Sequence, residues 1–359
     1  MFRNSSHNFF STPKFLEMPS FGLDISDESI KYIELLPTDK GIVIGSYGEK
    51  KIPAGVVELG EIKDPVKLEG LLTALKREQN IRSVRASILE SQIYLFKLVL
   101  EKSGVANVRE SIELSLEEHI PIPAEEAIFD YDIINETDTS LEIQVAAIQK
   151  KIIDNYLSVF TSVDLSVHSF ELEAQAIARS IIKKGDPDTY MIVDFGERRT
   201  GIFIVTNGIV MFTSTVDMGG AVLNGMIEKH FKVTKEEAEK LKKQYGLQRN
   251  VANKEMFSVL LNSVSILKDE LAKHFVYWHT HEDEDGIKNP PIKKILLCGG
   301  DSNLVGLPDY LSVTMKTEVE MANVWCNILN TEEYIPSIDF KDALSFAASL
   351  GLALGDFEL

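Results

Sequence analysis

The chain has 359 residues, with 37 lysines and arginines against 55 aspartates and glutamates, so its formal net charge is −18. This length predicts two domains or one two-lobed body, and a hydrophobic content of 44% is ordinary for a folded globular protein. The acidic excess argues against non-specific nucleic-acid binding and against a basic membrane-binding face, because both depend on lysine and arginine. Two cysteines, Cys298 and Cys326, cannot build a disulfide framework and fit a reducing cytoplasm.

The N-terminal segment, residues 1–20, lacks the continuous apolar stretch of a signal peptide and predicts a tail of low order. No apolar run approaches the roughly 18 residues that a membrane-spanning helix needs. We therefore expect a cytoplasmic protein without direct membrane insertion.

A first lobe is predicted from residues 21–85 and 166–187. It opens with an apolar strand over residues 21–26, followed by strands over 29–36 and 42–47 that are joined by a turn at 38–41. Asp64 and Pro65 start a helix that runs to Gln79. Residues 84–99 are strand-like with a break around Glu90, and a helix over 173–183 precedes the boundary at 185–187.

A small α/β domain is predicted as an insertion in the first lobe over residues 86–165. An acidic helix over 108–119 is stopped by Pro121 and Pro123. Strands over 128–134 and 141–148 and an amphipathic helix over 152–160 follow.

The second lobe, predicted for residues 188–359, begins as the first lobe does. A strand over 190–193 ends in Asp194, and a hairpin follows over 202–216, so a strand–Asp–turn–strand unit recurs about 170 residues after Asp24. Helices are predicted over 221–230, 234–245 and 254–279, and a strand over 295–297. A terminal helix over 340–354 is expected to return to the first lobe.

Three apolar strands each end in a turn of small or acidic residues: residues 23–26, residues 193–196 with Thr200, and residues 296–300. A polyphosphate held between two lobes needs main-chain N–H groups from such turns, and its Mg²⁺ needs carboxylates while keeping several waters. Asp24 and Asp194 are therefore predicted to hold hydrated Mg²⁺. Neither a P-loop nor a dinucleotide-binding glycine motif is present in the sequence.

In order and spacing, these segments resemble the actin/Hsp70-like ATPase superfamily from Phe21 to the C-terminus. The resemblance implies a two-lobed α/β fold of the actin/Hsp70-like ATPase type with the small α/β insertion in its first lobe, binding ATP and Mg²⁺. It implies one catalytic candidate, Glu173, for which the alternative is an exposed acid favoured by a helix dipole. The implied nucleotide-binding residues are Asp24, Ser26, Lys31, Asp194, Gly196, Thr200, Gly219, Gly220, Glu239, Lys242, Gly299, Gly300 and Ser302. For Glu239 and Lys242 the alternative is an ordinary surface ion pair.

Within that superfamily, the opening segment 21–36, residues 120–126 followed by residues 129–131, and residues 351–354 resemble the type IV pilus assembly protein PilM family. The resemblance implies a cytoplasmic ATP-binding adaptor, peripheral to the inner membrane through its partners. Those partners are a PilN-type cytoplasmic tail and other pilus assembly platform or motor proteins, and self-association stays open. Residues 120–123 are interpreted either as part of a groove for the tail or as a simple helix stop.

Two departures from the superfamily pattern concern the phosphate loops. Ser26 stands where a glycine is expected, and Glu197, Arg198 and Arg199 replace small residues. We predict slow or absent hydrolysis, and the arginines are interpreted either as phosphate ligands or as solvent-facing residues. The alternatives are an actin-like ATPase with real turnover, an FtsA-like cell-division membrane tether, and a sugar or acetate kinase.

Two further features carry only structural interpretations. The histidines at 274, 279 and 281 precede acidic residues 282–285, and this group is interpreted as a solvated loop after a long helix rather than as a metal site. Cys298 is interpreted as a buried structural cysteine because nothing near it in sequence would activate a thiolate.

Overall fold

The computed structural model describes residues 20–38, 41–102, 107–248, 253–281, 288–328 and 334–357. Residues 1–19 of the predicted tail over 1–20, Asp39 and Lys40 of the first turn, and the acidic loop over 282–285 lie outside these ranges. None of the helices within the described ranges combines the length and the hydropathy that a membrane crossing requires.

Both halves of the chain contain strands and helices. The described strands are β1 (Phe21–Ile25), β2 (Ser29–Thr38), β3 (Gly41–Lys51), β4 (Val57–Glu58), β5 (Glu61–Ile62), β6 (Ser83–Ile88), β7 (Ile93–Glu101), β8 (Ala127–Glu136), β9 (Ser140–Gln149), β10 (Ser166–Leu172), β11 (Thr189–Phe195), β12 (Thr200–Thr206), β13 (Ile209–Val216), β14 (Ile292–Cys298) and β15 (Val319–Met321). The described helices are α1 (Pro65–Gln79), α2 (Val108–His119), α3 (Lys150–Ser162), α4 (Glu173–Ile181), α5 (Gly220–Phe231), α6 (Lys235–Tyr245), α7 (Lys254–Thr280), α8 (Leu307–Met315), α9 (Phe340–Ala343) and α10 (Ala347–Leu354).

Two large mixed sheets have the same local topology. Their strand orders are β10-β6-β1-β2-β3 and β13-β12-β11-β14-β15. In the first, β1 is antiparallel to β2 and parallel to β6, and in the second β11 is antiparallel to β12 and parallel to β14. Asp24 and Asp194 therefore occupy corresponding places near the ends of the two central strands. The repeated strand–Asp–turn–strand unit thus places one aspartate in each sheet.

A shared core joins the two sheets. Ile33 on β2, Ile177 on α4, Ile192 on β11 and Leu350 on α10 belong to one cluster of buried apolar side chains. Every residue of α10 is buried, because this helix lies against both α4 and β1. Burial of such apolar area is the main stabilising contribution to the fold, and here it fixes the two lobes on either side of one cleft.

The third sheet, β7-β9-β8, forms the inserted unit and is covered by α2. The inserted unit covers fewer residues than the predicted insertion over residues 86–165. Strand β6 pairs with β1 in the first sheet. Helix α3 packs Tyr156 and Phe160 into the first-lobe core, because its strongly amphipathic face needs an apolar partner. The sheet of the insert and its helix therefore span residues 93–149.

Further differences from the sequence-based expectations concern short elements. Strand β10 was not expected, because it is a half-exposed edge strand with no apolar run, and neither α8 nor β15 was expected. The expected terminal helix over residues 340–354 is α9, a single 3₁₀ turn at Leu344–Phe346, and α10. The backbone N–H of Gly299 donates to the carbonyl of Leu344 at 3.0 Å, so the interrupted helix contacts a predicted site residue.

Candidate functional site

A cleft of about 540 Å³ lies between the lobes, where the turns after β1, β11 and β14 converge. It brings together nine of the residues proposed from the sequence, from both lobes and from five separate parts of the chain. They are Asp24, Ser26, Lys31, Glu173, Asp194, Gly196, Glu239, Gly299 and Gly300.

The first-lobe wall is the turn between β1 and β2. Asp24 is only 5% exposed, and one of its carboxylate oxygens accepts a hydrogen bond from the Ser87 hydroxyl at 2.7 Å. The Ser26 hydroxyl donates to the carbonyl of Ser29 and accepts from the backbone N–H of Ser29, both at 3.2 Å. Ser26 therefore stabilises this turn through its side chain, at the position where the superfamily pattern has a glycine.

Asp194 supplies the matching carboxylate of the second lobe. Burial raises its pKa to about 6, Lys31 lowers the pKa, and the negative charge of Asp24 raises it. The two aspartates are therefore close enough to repel each other across the cleft. The Cys298 thiol donates to an Asp194 oxygen at 3.8 Å, and burial raises the pKa of that thiol well above its usual value, in agreement with an inert structural cysteine.

Two glycines permit the close packing of these turns. Gly299 has a φ of +87°, and a Cβ there would meet the Asp194 carboxylate at 2.5 Å. Gly219 lies against the loop after β11, where a Cβ would meet the carbonyl of Gly196 at 2.5 Å. A side chain at either position would push the second-lobe loops apart.

Five predicted nucleotide-binding residues lie behind the cleft wall and do not line it: Thr200, Gly219, Gly220, Lys242 and Ser302. The Thr200 hydroxyl donates to the carbonyl of Met218 at 2.6 Å, and the Ser302 hydroxyl donates to the carbonyl of Cys298. Both hydroxyls are thus used to shape loops.

Lys242 is buried at 3% exposure, so it is not half of an ordinary surface pair. Its ammonium group contacts Asp301 at 2.5 Å and Glu239 at 2.9 Å. Burial alone would raise the pKa of Glu239, but hydrogen bonds from Lys242 and Asn224 lower it to about 2. Lys242 therefore keeps Glu239 ionised at the cleft edge, and Asp301 is a participant that the sequence reasoning missed.

Glu173 is buried at the start of α4, which rules out the exposed-acid interpretation. Burial raises its pKa well above the ordinary value, and the charges of Asp24, Glu90 and Asp194 raise it further. The carboxyl thus belongs to one electrostatic cluster with both aspartates.

Glu90, at the break between β6 and β7, is the main residue that the sequence reasoning missed. Its carboxylate accepts a hydrogen bond from the backbone N–H of Ala174 at 2.7 Å, so it caps the helix that carries Glu173. Burial raises its pKa to about 8, and the charge of Asp194 contributes. The break in the strand pattern at Glu90 was the only signal in the sequence.

The raised pKa of Glu90 predicts a pH-dependent stability. Between an unfolded-state value near 4.5 and the folded value of about 8, the folded state binds the extra proton, so stability falls as pH rises through this window. Glu90→Gln keeps an acceptor for Ala174 and removes the charge. We expect its melting temperature to match that of the wild type at pH 4.5 and to exceed it by several degrees at pH 8.5. Equal melting temperatures at both pH values would contradict this assignment, and Glu90→Ala, which loses the acceptor, is the control.

A family model described as type IV pilus assembly protein PilM matches residues 22–357. The chain belongs to the PilM family. The family that the sequence motifs indicated is thereby confirmed, with a match that includes both lobes and the insert.

Solved structures of other proteins share the fold of this chain. A structure of a PilM–PilN type IV pilus biogenesis complex matches 95% of this PilM-family chain and 99% of its own, at 18% identity and a TM-score of 0.77. The ethanolamine utilization protein EutJ from Carboxydothermus hydrogenoformans matches with 17% identity over 94% and 90% of the two chains, and a TM-score of 0.53. MreB5 of Spiroplasma citri bound to ADP matches with 14% identity over 85% and 92%, and a TM-score of 0.52. These similarities confirm the predicted two-lobed actin-like fold.

Proposed function

We propose that this PilM-family protein is an ATP-binding adaptor of the type IV pilus assembly platform, which binds MgATP between its lobes and docks the cytoplasmic tail of a PilN-type inner-membrane protein. The observation that carries the nucleotide part is the pair of carboxylates, Asp24 and Asp194, which lie near the ends of corresponding strands and line one cleft. The similarity to the PilM–PilN complex supports the partner. In this role the protein is cytoplasmic and peripheral to the membrane through its partners, which include other platform or motor proteins.

The residues of the cleft fit Mg²⁺ and a polyphosphate. Asp24 and Asp194 offer the oxygen donors that Mg²⁺ accepts through water, and the raised pKa of Asp194 marks negative charge that a divalent cation would relieve. The Lys31 ammonium lines the cleft, and within the described ranges it makes no hydrogen bond or ion pair, so it is available to a phosphate oxygen. Mg²⁺, when bound, would neutralise phosphate charge.

Glu239 is suited to contact the nucleoside end of a bound nucleotide. Its carboxylate stays ionised and lines the cleft, so it can accept a hydrogen bond from a ribose hydroxyl. Lys242 does not line the cleft, and we assign it to positioning Glu239 and Asp301 rather than to direct contact with the sugar.

The partner surface differs from the segment considered in the sequence. Ile120 is buried, and Ile122 packs beside it in the core of the insert, which supports the helix-stop interpretation of residues 120–123. Strand β8 offers a better surface, because within the described residues it pairs only with β9 and is the edge of its sheet. An extended peptide can add to such an edge through main-chain hydrogen bonds.

The charge of β8 indicates the chemistry of the tail. Asp130 and Asp132 are exposed along this strand. Although its side chain is exposed, partial desolvation by neighbouring groups raises the pKa of Asp132, the neighbouring Asp130 raises it further, and Arg179 on α4 lowers it. Asp132 therefore lies close to the first lobe, and an apolar tail with basic residues would complement this edge.

A hydrogen-bonded path links the phosphate side of the cleft with the insert. Asp27, in the β1–β2 turn, accepts from the backbone N–H groups of Leu59 at 3.1 Å and Gly60 at 3.3 Å. The carbonyl of Leu59 accepts from the side chains of Ser91 at 3.2 Å and Gln92 at 2.8 Å. Since Ser91 and Gln92 lead directly into β7, the path supports nucleotide as a conformational ligand that changes the partner surface.

ATP hydrolysis is the second candidate function, because Glu173 is buried in the cleft beside both aspartates. In that position its carboxyl group could orient a water for attack on a phosphate. We expect the purified protein to bind MgATP in calorimetry and to release phosphate far more slowly than the ~1–10³ s⁻¹ common among enzymes. Release in that range, lost in Glu173→Ala but kept in Glu228→Ala outside the cleft, would replace the adaptor by an ATPase. Absence of MgATP binding would refute both the ATP-binding adaptor and the ATPase.

A further inference from the structure

Two arginines of the second lobe cross the cleft and pair with acids of the first lobe. Arg198 forms an ion pair with Glu28, and the Arg199 guanidinium donates to Asp27 at 3.1 Å. The arginines belong to the turn between β11 and β12, and the acids belong to the turn between β1 and β2. These are the two turns between which a polyphosphate is proposed to lie.

The guanidinium group of Arg199 is not fully hydrogen-bonded within the described residues. Its side chain is 13% exposed, and one terminal nitrogen, Nη1, is buried without a hydrogen-bond partner within the described residues. A buried guanidinium donor without a partner is costly, so Nη1 would be stabilised by an acceptor oxygen of a bound ligand. Asp27 cannot supply that partner easily, because its two oxygens already accept from Arg199, Leu59 and Gly60.

Acidic side chains outnumber basic ones in the cleft, so an anion that binds there needs a bound cation such as Mg²⁺ and nearby basic side chains. Eleven acidic and six basic side chains among the described residues line the cleft. A polyphosphate entering this field needs positive groups at its oxygens, and Mg²⁺ held by the aspartates supplies only part of that charge. The planar guanidinium is the side chain best suited to bidentate phosphate contact.

We propose that Arg198 and Arg199 are polyphosphate ligands that exchange the carboxylates of Glu28 and Asp27 for phosphate oxygens when ligand enters. The nucleoside is not part of this contact, so the recognised chemistry is a di- or triphosphate chain, whether free or esterified. Only the identity of that chain as part of a nucleotide rests on the proposed function. The exchange also releases Asp27, the acid that holds the turn at Leu59 and Gly60.

Calorimetry on the full chain tests this with two probes, MgATP and inorganic tripolyphosphate. We expect Arg199→Ala to weaken the binding of both probes by about tenfold or more, and Arg198→Ala, at an exposed side chain, to weaken both by a smaller factor. Arg199→Lys keeps the charge and should recover part of the affinity. Arg82→Ala removes an equal charge from an exposed position outside the cleft and should change neither. Thermal melting of each variant checks that it is folded.

The outcomes separate this proposal from the proposed function. Unchanged or tighter binding of both probes by folded Arg199→Ala and Arg198→Ala would overturn the proposal and leave ATP binding intact, because the arginines would then only hold the lobes together. If the wild type binds tripolyphosphate but not MgATP, and Arg199→Ala loses the tripolyphosphate binding, the arginines are polyphosphate ligands and the proposed nucleotide binding is refuted. Binding of neither probe by the wild type would overturn both.

Discussion

Asp194→Asn is expected to weaken MgATP binding by about 10- to 100-fold, the range found when partners of a bound metal are removed. The variant keeps the shape of the side chain but loses the charge that would hold Mg²⁺ against the phosphates. Because desolvation raises the pKa of Asp194 to about 6, loss of the carboxyl also removes a charge that its surroundings disfavour, so the unliganded variant should melt no lower than the wild type at pH 8. Asp188→Asn is the matched control, since this partly exposed aspartate of the same lobe pairs with Lys293 outside the cleft.

The same assignment gives a pH dependence with a definite sign. A metal-binding carboxyl must be ionised, and the folded value of about 6 means that Asp194 loses its proton between pH 5 and 7. MgATP affinity of the wild type should therefore rise over this interval and level off above it, while that of Asp194→Asn stays nearly flat. Equal affinities of the wild type and the variant at pH 7.5 would remove Asp194 from the metal site.

Charge reversal at the β8 edge is expected to have the second large effect. The double variant Asp130→Lys and Asp132→Lys should weaken binding of a synthetic PilN-type N-terminal tail by about tenfold or more, roughly 1.4 kcal/mol at the lower bound. Both aspartates are exposed on the open edge strand, and a basic tail would then meet like charge. Fluorescence anisotropy with a labelled tail measures the change.

Glu118→Lys is the matched control for that experiment. Glu118 is an exposed acid on α2, in the same inserted unit, and α2 packs on the sheet through its opposite, apolar face. Substitutions are preferable to removal of the whole inserted unit, since a deletion that extended through α3 would uncover the first-lobe core around Tyr156 and Phe160. Unchanged tail binding by a folded double variant would exclude the β8 edge as the docking surface.

Local patterns predicted the parts of the site that depend on a single strand and its turn. Asp24 and Asp194 each follow a short apolar run, and hydrophobic patterning is the strongest secondary-structure signal in a sequence. The structure brings both to one cleft because the two sheets share a topology. Helix α6 was likewise placed well, because Thr234 and Glu237 form a capping box at its start.

Contacts between distant segments were beyond that reasoning. Glu90 caps α4 through Ala174, 84 residues away, and nothing in its neighbourhood marks it as buried. Lys242 lies on a helix with several lysines and glutamates, and only its contact with Asp301 distinguishes it as an internal residue. The arginines at 198 and 199 were recognised as unusual, but their pairing with Glu28 and Asp27 depends on how the lobes face each other.

The central claim is that nucleotide in the cleft acts on the partner surface of the insert. The most direct measurement is the affinity of the labelled PilN-type tail for the full-length chain, with saturating MgATP and without nucleotide. The hydrogen-bonded path from Asp27 through Leu59 to Ser91 and Gln92 predicts that the two affinities differ, by about fivefold or more for an ordinary allosteric coupling. By reciprocity, the tail should change MgATP affinity by the same factor. Tail affinities that are identical with and without bound MgATP would contradict the claim.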